Sequence, residues 1–125
     1  MVKILLVEDN ENNSDSLRRR LQRKGYVVLA AYDGEQGYGL AESEKPDLIL
    51  MDISLPGMDG WQVTHLLKAS ETTRHIPIII LTAHALVSDR AKAFEAGCAD
   101  YQTKPVDFAR LTQKIENLLP EKSLA

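Results

Sequence analysis

Short apolar runs alternate with stretches of helical spacing along this chain, and this alternation restricts the fold more than any other feature. The runs lie at Lys3–Val7, Val27–Tyr32, Leu48–Met51 and Ile76–Leu81, with a weaker run around Asp100–Thr103. Helical spacing is clearest in the last segment, where leucine and isoleucine recur at Leu111, Ile115, Leu118 and Leu119. The alternation predicts five strand–helix units.

The first, third and fourth runs are apolar throughout, whereas strands with one solvated face would alternate. Such strands are typical of a parallel sheet covered on both faces by helices. Right-handed crossovers then predict a doubly wound, three-layer α/β sandwich. The second and fifth runs, VVLAAY and DYQT, are the expected edges. Because no linker or repeat interrupts the pattern, one domain is predicted over residues 1–120, with a polar tail at 121–125.

Residues that cap helices stand at the boundaries of the predicted helices. The expected N-caps, whose side chains accept hydrogen bonds from the first helical turn, are Asn12 or Asn13, Asp33, Asp59, Ser88 and Asp107. Gly25, Gly97 and Pro120 stand where helices are expected to end.

Composition and charge narrow the class of protein. The net charge of −3 argues against a protein that coats nucleic acid, since that affinity comes from clustered Lys and Arg. We interpret the run Arg18-Arg19-Arg20 as a solvated helix face. The single cysteine, Cys98, fits a reducing compartment. The first apolar run is too short for a signal sequence or a membrane span. A cytoplasmic protein without membrane insertion is predicted.

Charged and hydroxyl side chains stand at the carboxyl ends of the predicted strands. Glu8 and Asp9 follow the first strand, Asp52 the third, Thr82 the fourth and Lys104 the fifth. In an open parallel sheet these ends form one rim, and ligands bind there. Any one of these residues alone is more often a cap or a loop residue. Their presence at four strand ends predicts a site.

The residue types at this rim indicate phosphoryl transfer. Crowded carboxylates oppose one another's ionisation unless a cation compensates, and Mg²⁺ prefers carboxylates, waters and phosphate oxygens. Lys104 supplies a point charge for phosphate, and Thr82 supplies a hydroxyl donor. Asp52 is then the nucleophile that accepts the phosphoryl group as an acyl phosphate. The predicted metal is Mg²⁺, with Mn²⁺ as an alternative ion.

At these residues the chain resembles the receiver domains of two-component response regulators over essentially its whole length. The resemblance rests on LLVEDN (Leu5–Asn10), LILMDISLPGMDG (Leu48–Gly60), IIILTAHA (Ile78–Ala85) and AGCADYQTKP (Ala96–Pro105). It implies a flavodoxin-like, five-stranded parallel sheet of strand order 2-1-3-4-5. The LTAHA and TKP motifs are similar to those of receivers in hybrid kinases.

The resemblance also implies the metal site and the phospho-acceptor. Asp52 matches the phospho-accepting aspartate. The acids Glu8 and Asp9, Asp52 itself and the backbone carbonyl of Ser54 match the metal ligands. Lys104 matches the lysine that pairs with the phosphoryl group.

The matching switch residues are Thr82, whose hydroxyl is expected to swing toward the phosphoryl group, and Tyr101, whose ring is expected to turn inward. Ala83 matches the small residue that leaves the phosphorylation site open. The resemblance further implies a cis peptide bond between Lys104 and Pro105.

Ser54 bears on whether the chain is a switch or an enzyme. Haloacid-dehalogenase-type phosphohydrolases also phosphorylate an aspartate, but they resemble D-x-D, in which the second acid is the general acid–base. Ser54 occupies that position and cannot do this work, so the acyl phosphate is expected to persist as a signal. We hypothesise that Ser54 and His84, two residues after Asp52 and Thr82, tune its lifetime by steering the attacking water.

The sequence therefore predicts a single-domain response regulator, a Mg²⁺-dependent switch that is not an enzyme beyond its own phosphorylation and slow dephosphorylation. A histidine kinase or histidine phosphotransfer protein is expected to supply the phosphoryl group, and a downstream protein to read the changed surface, without direct nucleic-acid contact. The rival interpretations are an aspartyl-phosphate phosphohydrolase and a flavodoxin-like nucleotide or flavin binder. Two outputs stay open: the receiver passes the phosphoryl group on to another histidine, or it binds a target as the end point of the pathway. It also stays open whether the chain is a fragment of a larger hybrid kinase.

Overall fold

The computed structural model describes residues 1–83, 91–92 and 94–119. The elements bounded within these residues follow in the order β1 (Lys3–Val7), α1 (Glu11–Arg23), β2 (Val27–Ala31), α2 (Gly34–Glu44), β3 (Leu48–Asp52), α3 (Gly60–Ala69), β4 (Ile78–Thr82), β5 (Asp100–Thr103) and α4 (Phe108–Leu118). His84, Ser88 at the predicted start of the fourth helix, Pro120 at the predicted end of the last helix, and the tail at 121–125 lie outside the described residues.

The five strands form one sheet of order β2-β1-β3-β4-β5, and every neighbouring pair is parallel. All residues of β3 and β4 are buried, whereas β2 and β5 are partly exposed. This is the predicted flavodoxin-like topology, with the two more polar strands at the edges. No helix in the described part of the chain has the length and apolar character needed to cross a membrane.

Alternate residues of each strand pack on opposite sides of the sheet. On the α2/α3 face, strand residues such as Ile49 and Ile80 pack with Val63 and Leu67 of α3. On the α1/α4 face, residues such as Leu50 and Ile79 pack with Leu17 and Leu21 of α1 and with Leu111 and Ile115 of α4. The sheet is thus covered on both sides, as the continuous apolar strands predicted.

Helix boundaries are set by side-chain caps. Asp33, Asp59 and Asp107 cap α2, α3 and α4, as predicted. The prediction for α1 was wrong: its cap is Asn10, whose side chain accepts a hydrogen bond from the backbone N–H of Asn13. The helix begins as soon as the chain leaves β1, so the earlier asparagine takes the capping position.

The fourth strand begins later than its apolar pattern predicted. Ile76 is still part of a turn, because its N–H donates to the carbonyl of Thr73 at 3.0 Å. The strand runs instead from Ile78 to Thr82, so that the threonine is its last residue. This register brings the hydroxyl of Thr82 to the rim of the sheet.

Candidate functional site

The strand register gathers the predicted site residues at the carboxyl rim. Val7 lies opposite Met51 in the sheet, which brings the following residues, Glu8 and Asp52, side by side. Asp52 in turn lies opposite Leu81, next to Thr82. Glu8, Asp52 and Thr82 are only 3–4% exposed. Two acids and a hydroxyl are therefore buried together beside the sheet.

Lys104 supplies the basic partner of both buried acids. Its Nζ lies 3.0 Å from Oε1 of Glu8 and 3.1 Å from Oδ2 of Asp52. The peptide bond between Lys104 and Pro105 is cis, as the resemblance implied. Asp52 has no Lys or Arg near it in sequence. Because Lys104 follows the edge strand β5, it supplies this partner from across the sheet.

The remaining oxygens of the two acids are held by backbone groups. The N–H of Ser54 donates to Oδ1 of Asp52 at 3.2 Å, and the N–H of Asn10 donates to Oε2 of Glu8 at 3.5 Å. Asn10 had not been predicted as part of the site; the sequence signal was its position directly after the acid pair. Both carboxylates are thus oriented by neighbours on two sides.

Burial and pairing shift the pKa values of Glu8 and Asp52 in opposite directions. Burial, together with a hydrogen bond shared with Asp52, raises the pKa of Glu8 to about 7. Burial alone would raise the pKa of Asp52 too, but the hydrogen bond from Glu8 and the charge of Lys104 outweigh it and lower that pKa. For Lys104, the pairing with these acids outweighs burial and raises the pKa. Asp52 therefore ionises at a lower pH than Glu8.

Three carboxylates form a cluster that fits a hard divalent cation. One oxygen from each of Glu8, Asp9 and Asp52 lies within 4.8 Å of the others. Asp9 is exposed, whereas the other two are buried, so the cluster has one open side. Oxygen ligands of this kind suit Mg²⁺, which also retains water and phosphate ligands. Such an ion would draw charge from a transferring phosphoryl group.

The predicted switch residues lie on neighbouring strands. Tyr101 of β5 is opposite Ile80, and Thr82 of β4 is opposite Thr103, so Thr82 and Tyr101 share the α2/α3 face. The ring of Tyr101 meets Phe94 edge-on at 6.3 Å between centroids. Lys114 donates to the carbonyl of Tyr101 at 2.6 Å. Ala83 is exposed beside the site. Residue His84 is outside the described residues.

Comparison with known proteins identifies the family that has this fold and this set of site residues. The family model of the response regulator receiver domain matches residues 4–116. The chain belongs to the response regulator receiver family. The predictions of family and fold are confirmed.

Some relatives of this receiver have about its own length, and others are much longer. The polar-differentiation response regulator DivK of Brucella anthropi is 38% identical over 116 residues, which are 93% of this chain and 94% of DivK. The response regulator PleD of Caulobacter vibrioides is 40% identical over 116 residues. The chain spans only 26% of PleD.

Solved structures share the fold closely. The receiver domain of the sensor histidine kinase PA1611 from Pseudomonas aeruginosa PAO1 is 41% identical, with a TM-score of 0.87 over 94% of this chain and 96% of that one. That structure has a magnesium ion coordinated in its active-site cleft.

Receivers of this family are phosphorylation-dependent switches of two-component signal transduction. They bind Mg²⁺ at an acidic site and interact with histidine kinases or phosphotransfer proteins. The acidic cluster of Glu8, Asp9 and Asp52 is typical of such a site.

Proposed function

We propose that this receiver accepts a phosphoryl group from a phosphohistidine onto Asp52. The observation that carries the proposal is the position of Lys104 Nζ, 3.1 Å from Asp52 and 3.0 Å from Glu8. An ammonium group there can contact an oxygen of a phosphoryl group on Asp52 while staying paired with Glu8. The charge of Lys104 and the hydrogen bond from Glu8 lower the pKa of Asp52, which favours the ionised carboxylate that acts as the nucleophile.

The proposed transfer is a simple displacement at phosphorus. A carboxylate oxygen of Asp52 forms a bond to phosphorus as the bond from phosphorus to the imidazole nitrogen breaks. The electron pair of the broken bond returns to the imidazole, which takes up a proton from solvent. Lys104 and the hydroxyl of Thr82 are proposed to contact the phosphoryl oxygens during the transfer.

Glu8, Asp9, Asp52 and the backbone carbonyl of Ser54 are the proposed metal ligands. Mg²⁺ is the expected ion, and Mn²⁺ is an alternative with the same oxygen preference. Burial raises the pKa of Glu8, and a metal ligand must be ionised, so metal binding is expected to favour loss of its proton.

The acyl phosphate is proposed to be a signal and not a turnover intermediate. Ser54, whose hydroxyl is no general base, stands two residues after Asp52, and its N–H faces the carboxylate. With no acid at this position, water attack on the acyl phosphate is slow. Ser54 and His84 are proposed to tune that lifetime, and the receiver catalyses only its own phosphorylation and dephosphorylation.

Thr82 and Tyr101 are proposed to transmit the change. Added negative charge at Asp52 attracts the hydroxyl of Thr82, and the ring of Tyr101 adjusts on the same face of the sheet. The surface around the helix predicted to begin at Ser88, β5 and α4 then differs between the two states, and a downstream protein binds the changed surface. Relay to a further histidine is the alternative output.

The test is intact-mass analysis after incubation with a small phosphodonor and Mg²⁺. Wild type is expected to gain one phosphoryl group, and Asp52→Asn to gain none. Asp107→Asn is a matched control, because it makes the same chemical change in a capping residue where asparagine caps as well as aspartate. Labelling that persists in Asp52→Asn, or that does not need a divalent ion, would contradict the proposal.

A further inference from the structure

The segment between β3 and α3, which we call the β3–α3 loop (residues 53–59), contains the proposed metal ligand Ser54. It begins with a tight turn, because the N–H groups of Leu55 and Gly60 both donate to the carbonyl of Ile53, at 2.9 and 3.0 Å. Ser54 is the central residue of the three-residue turn that the first of these bonds closes. The direction of the Ser54 carbonyl is therefore set by the path of the loop.

The far end of this loop lies against the first turn of α2. A Cβ atom on Gly34, the first residue of α2, would lie 2.6 Å from the carbonyl oxygen of Met58 and 3.2 Å from its Cβ. Gly34 does not have the positive φ that favours glycine. Close packing against the loop, and not backbone conformation, therefore requires glycine at this position.

The start of α2 is held in place on its other sides. The N–H of Gln36 donates to Oδ1 of Asp33 at 2.7 Å, and the N–H of Tyr32 donates to Oε1 of Gln36 at 2.8 Å. One turn further along, a Cβ on Gly37 would lie 2.8 Å from a side chain of β1, so the helix is already close to the sheet. Of the two surfaces in contact at Gly34, the β3–α3 loop is therefore the one that would move.

We propose that Gly34 is a positioning residue of the metal site, because its contact with the backbone at Met58 holds the β3–α3 loop where the Ser54 carbonyl faces the cation. The inference rests on the proposed metal site, in which three carboxylates are the other protein ligands. Gly34 touches neither the cation nor the phosphoryl group and acts through the loop. Loss of a group that orients a metal ligand typically lowers metal affinity by about 10–100-fold.

The size of the cation decides how strongly a displaced ligand is felt. Mg²⁺ requires near-ideal octahedral geometry with oxygen ligands at about 2.0–2.1 Å, whereas Ca²⁺ accepts irregular geometry at about 2.3–2.6 Å. A displaced Ser54 carbonyl therefore weakens the binding of Mg²⁺ more than that of Ca²⁺. A substitution that only lowers the stability of the fold would not distinguish the two ions.

The test is titration of the protein with MgCl₂ and with CaCl₂, followed by the fluorescence of Trp61, the single tryptophan of the chain. Trp61 comes directly after Gly60, where a Cβ would contact the carbonyl oxygen of Asp52, so it reports on the backbone at the site. In Gly34→Ala, the dissociation constant for Mg²⁺ is expected to rise about tenfold and that for Ca²⁺ about twofold.

Two control variants separate the loop contact from helix propensity and from loss of stability. Gly39→Ala makes the same change on α2, at a position where a Cβ meets no atom within 4 Å. Leu21→Ala leaves a cavity on the α1/α4 face and lowers stability away from the loop. Both variants should bind Mg²⁺ as wild type does.

A double variant separates the two neighbours of a Cβ at Gly34. Such an atom would also lie 2.7 Å from Cγ2 of Val63 in α3. Val63→Ala, added to Gly34→Ala, makes room on that side but leaves the carbonyl of Met58 in place, so the affinity for Mg²⁺ should stay low. Recovery of the wild-type affinity would assign the effect to α3 and overturn the role of the loop contact.

Met58→Gly is the second test, and it decides the matter if Gly34→Ala does not fold. It frees the loop from α2 without adding an atom. The dissociation constant for Mg²⁺ is expected to rise about threefold, because the loop must then be ordered when the ion binds. A dissociation constant equal to that of wild type would contradict the proposal.

Wild type and Asp9→Asn distinguish failure of this inference from failure of the metal site. If wild type binds neither ion, or if Asp9→Asn binds Mg²⁺ as well as wild type does, the proposed metal site fails and the positioning role with it. If wild type binds Mg²⁺ and Asp9→Asn binds it weakly, but Gly34→Ala equals wild type or weakens both ions equally, only the positioning role of Gly34 is overturned.

Discussion

The two faces of the sheet are packed by different means. On the α2/α3 face, glycines let the helices approach their neighbours: a Cβ at Gly34 would lie 2.7 Å from Val63, one at Gly37 would lie 2.8 Å from Val7, and one at Gly60 would contact the carbonyl oxygen of Asp52. On the α1/α4 face the helices contain no glycine, and large side chains such as Leu21 and Leu111 fill the space.

The close glycine packing therefore lies beside Asp52 on the α2/α3 face, whereas a groove lies on the α1/α4 face. Backbone close to backbone at Gly60 leaves the segment after Asp52 little freedom. The α1/α4 face, by contrast, includes the groove lined by Lys104 and Arg20. The α2/α3 face thus restrains the backbone at Asp52, whereas the α1/α4 face contains the groove.

The largest effect is expected from Gly60→Ala. The new methyl group meets the backbone at Asp52 and Ile53, which cannot move as a side-chain tip can. We expect a loss of about 3 kcal/mol in the free energy of unfolding, measured by urea titration. Labelling of Asp52 by a small phosphodonor should slow by about tenfold, because the nucleophile is displaced.

Gly39→Ala is the control for this change. Gly39 is in the same helical layer, on α2, but a Cβ there meets no atom within 4 Å. Alanine should stabilise the protein by about 0.5–1 kcal/mol through helix propensity. Equal effects of the two substitutions would show that close packing on the α2/α3 face is not what restrains Gly60.

A smaller effect on the free energy of unfolding is expected from one substitution on each face, which adds volume on the α2/α3 face and conserves it on the α1/α4 face. Gly37→Ala adds one methyl group against Val7 and should cost about 2 kcal/mol. Leu21→Met on α1 keeps the side-chain volume and should cost less than about 1.5 kcal/mol. Both are measured by urea titration; a reversed order would contradict the contrast between a glycine-packed and a leucine-packed face.

The last expected effect concerns Cys98, which packs on the α2/α3 face. Burial raises the pKa of its thiol to about 11, from 9.0. The native protein should therefore react with iodoacetamide at pH 8 about a hundredfold more slowly than the unfolded chain, which exposes more thiolate. Alkylation at the same rate before and after unfolding would show that this part of the face is open to solvent.

The same shift predicts a pH dependence of stability. Because the folded pKa lies above the unfolded one, the contribution of Cys98 is fully present below pH 9 and is lost as the pH rises from 9 towards 11. The comparison is between wild type and Cys98→Ala. The difference between their free energies of unfolding should be constant below pH 9 and should change above it.

The strands were largely predictable because burial on both faces leaves a continuous apolar run in the sequence, whereas their order was implied by the resemblance to receiver domains. Continuous apolar runs such as those of β3 and β4 can only be covered from two sides. Boundaries were less predictable. Asn10, Asn12 and Asn13 all have a side chain suited to capping α1, and the choice among them depends on where the chain leaves the sheet.

The composition of the site was also predictable, since residues that end parallel strands meet at one rim. Its contacts were not. That Lys104 pairs with both Glu8 and Asp52, and that the pKa of Glu8 rises while that of Asp52 falls, depends on distances of about 3 Å that no spacing encodes. The stacking of Arg20 on Phe108 joins residues of two helices far apart in the chain, and a local pattern does not reveal it.

The bond between Lys104 and Glu8 has a consequence for the order in which the molecule forms. It joins residues separated by 96 positions, and the bond from Lys104 to Asp52 joins residues separated by 52. A chain growing from its N-terminus contains the acids long before it contains their cation, and contacts at such separation are late to close. On the proposed role of Lys104, competence to receive a phosphoryl group is coupled to completion of the sheet, so that a partly synthesised receiver is not expected to signal.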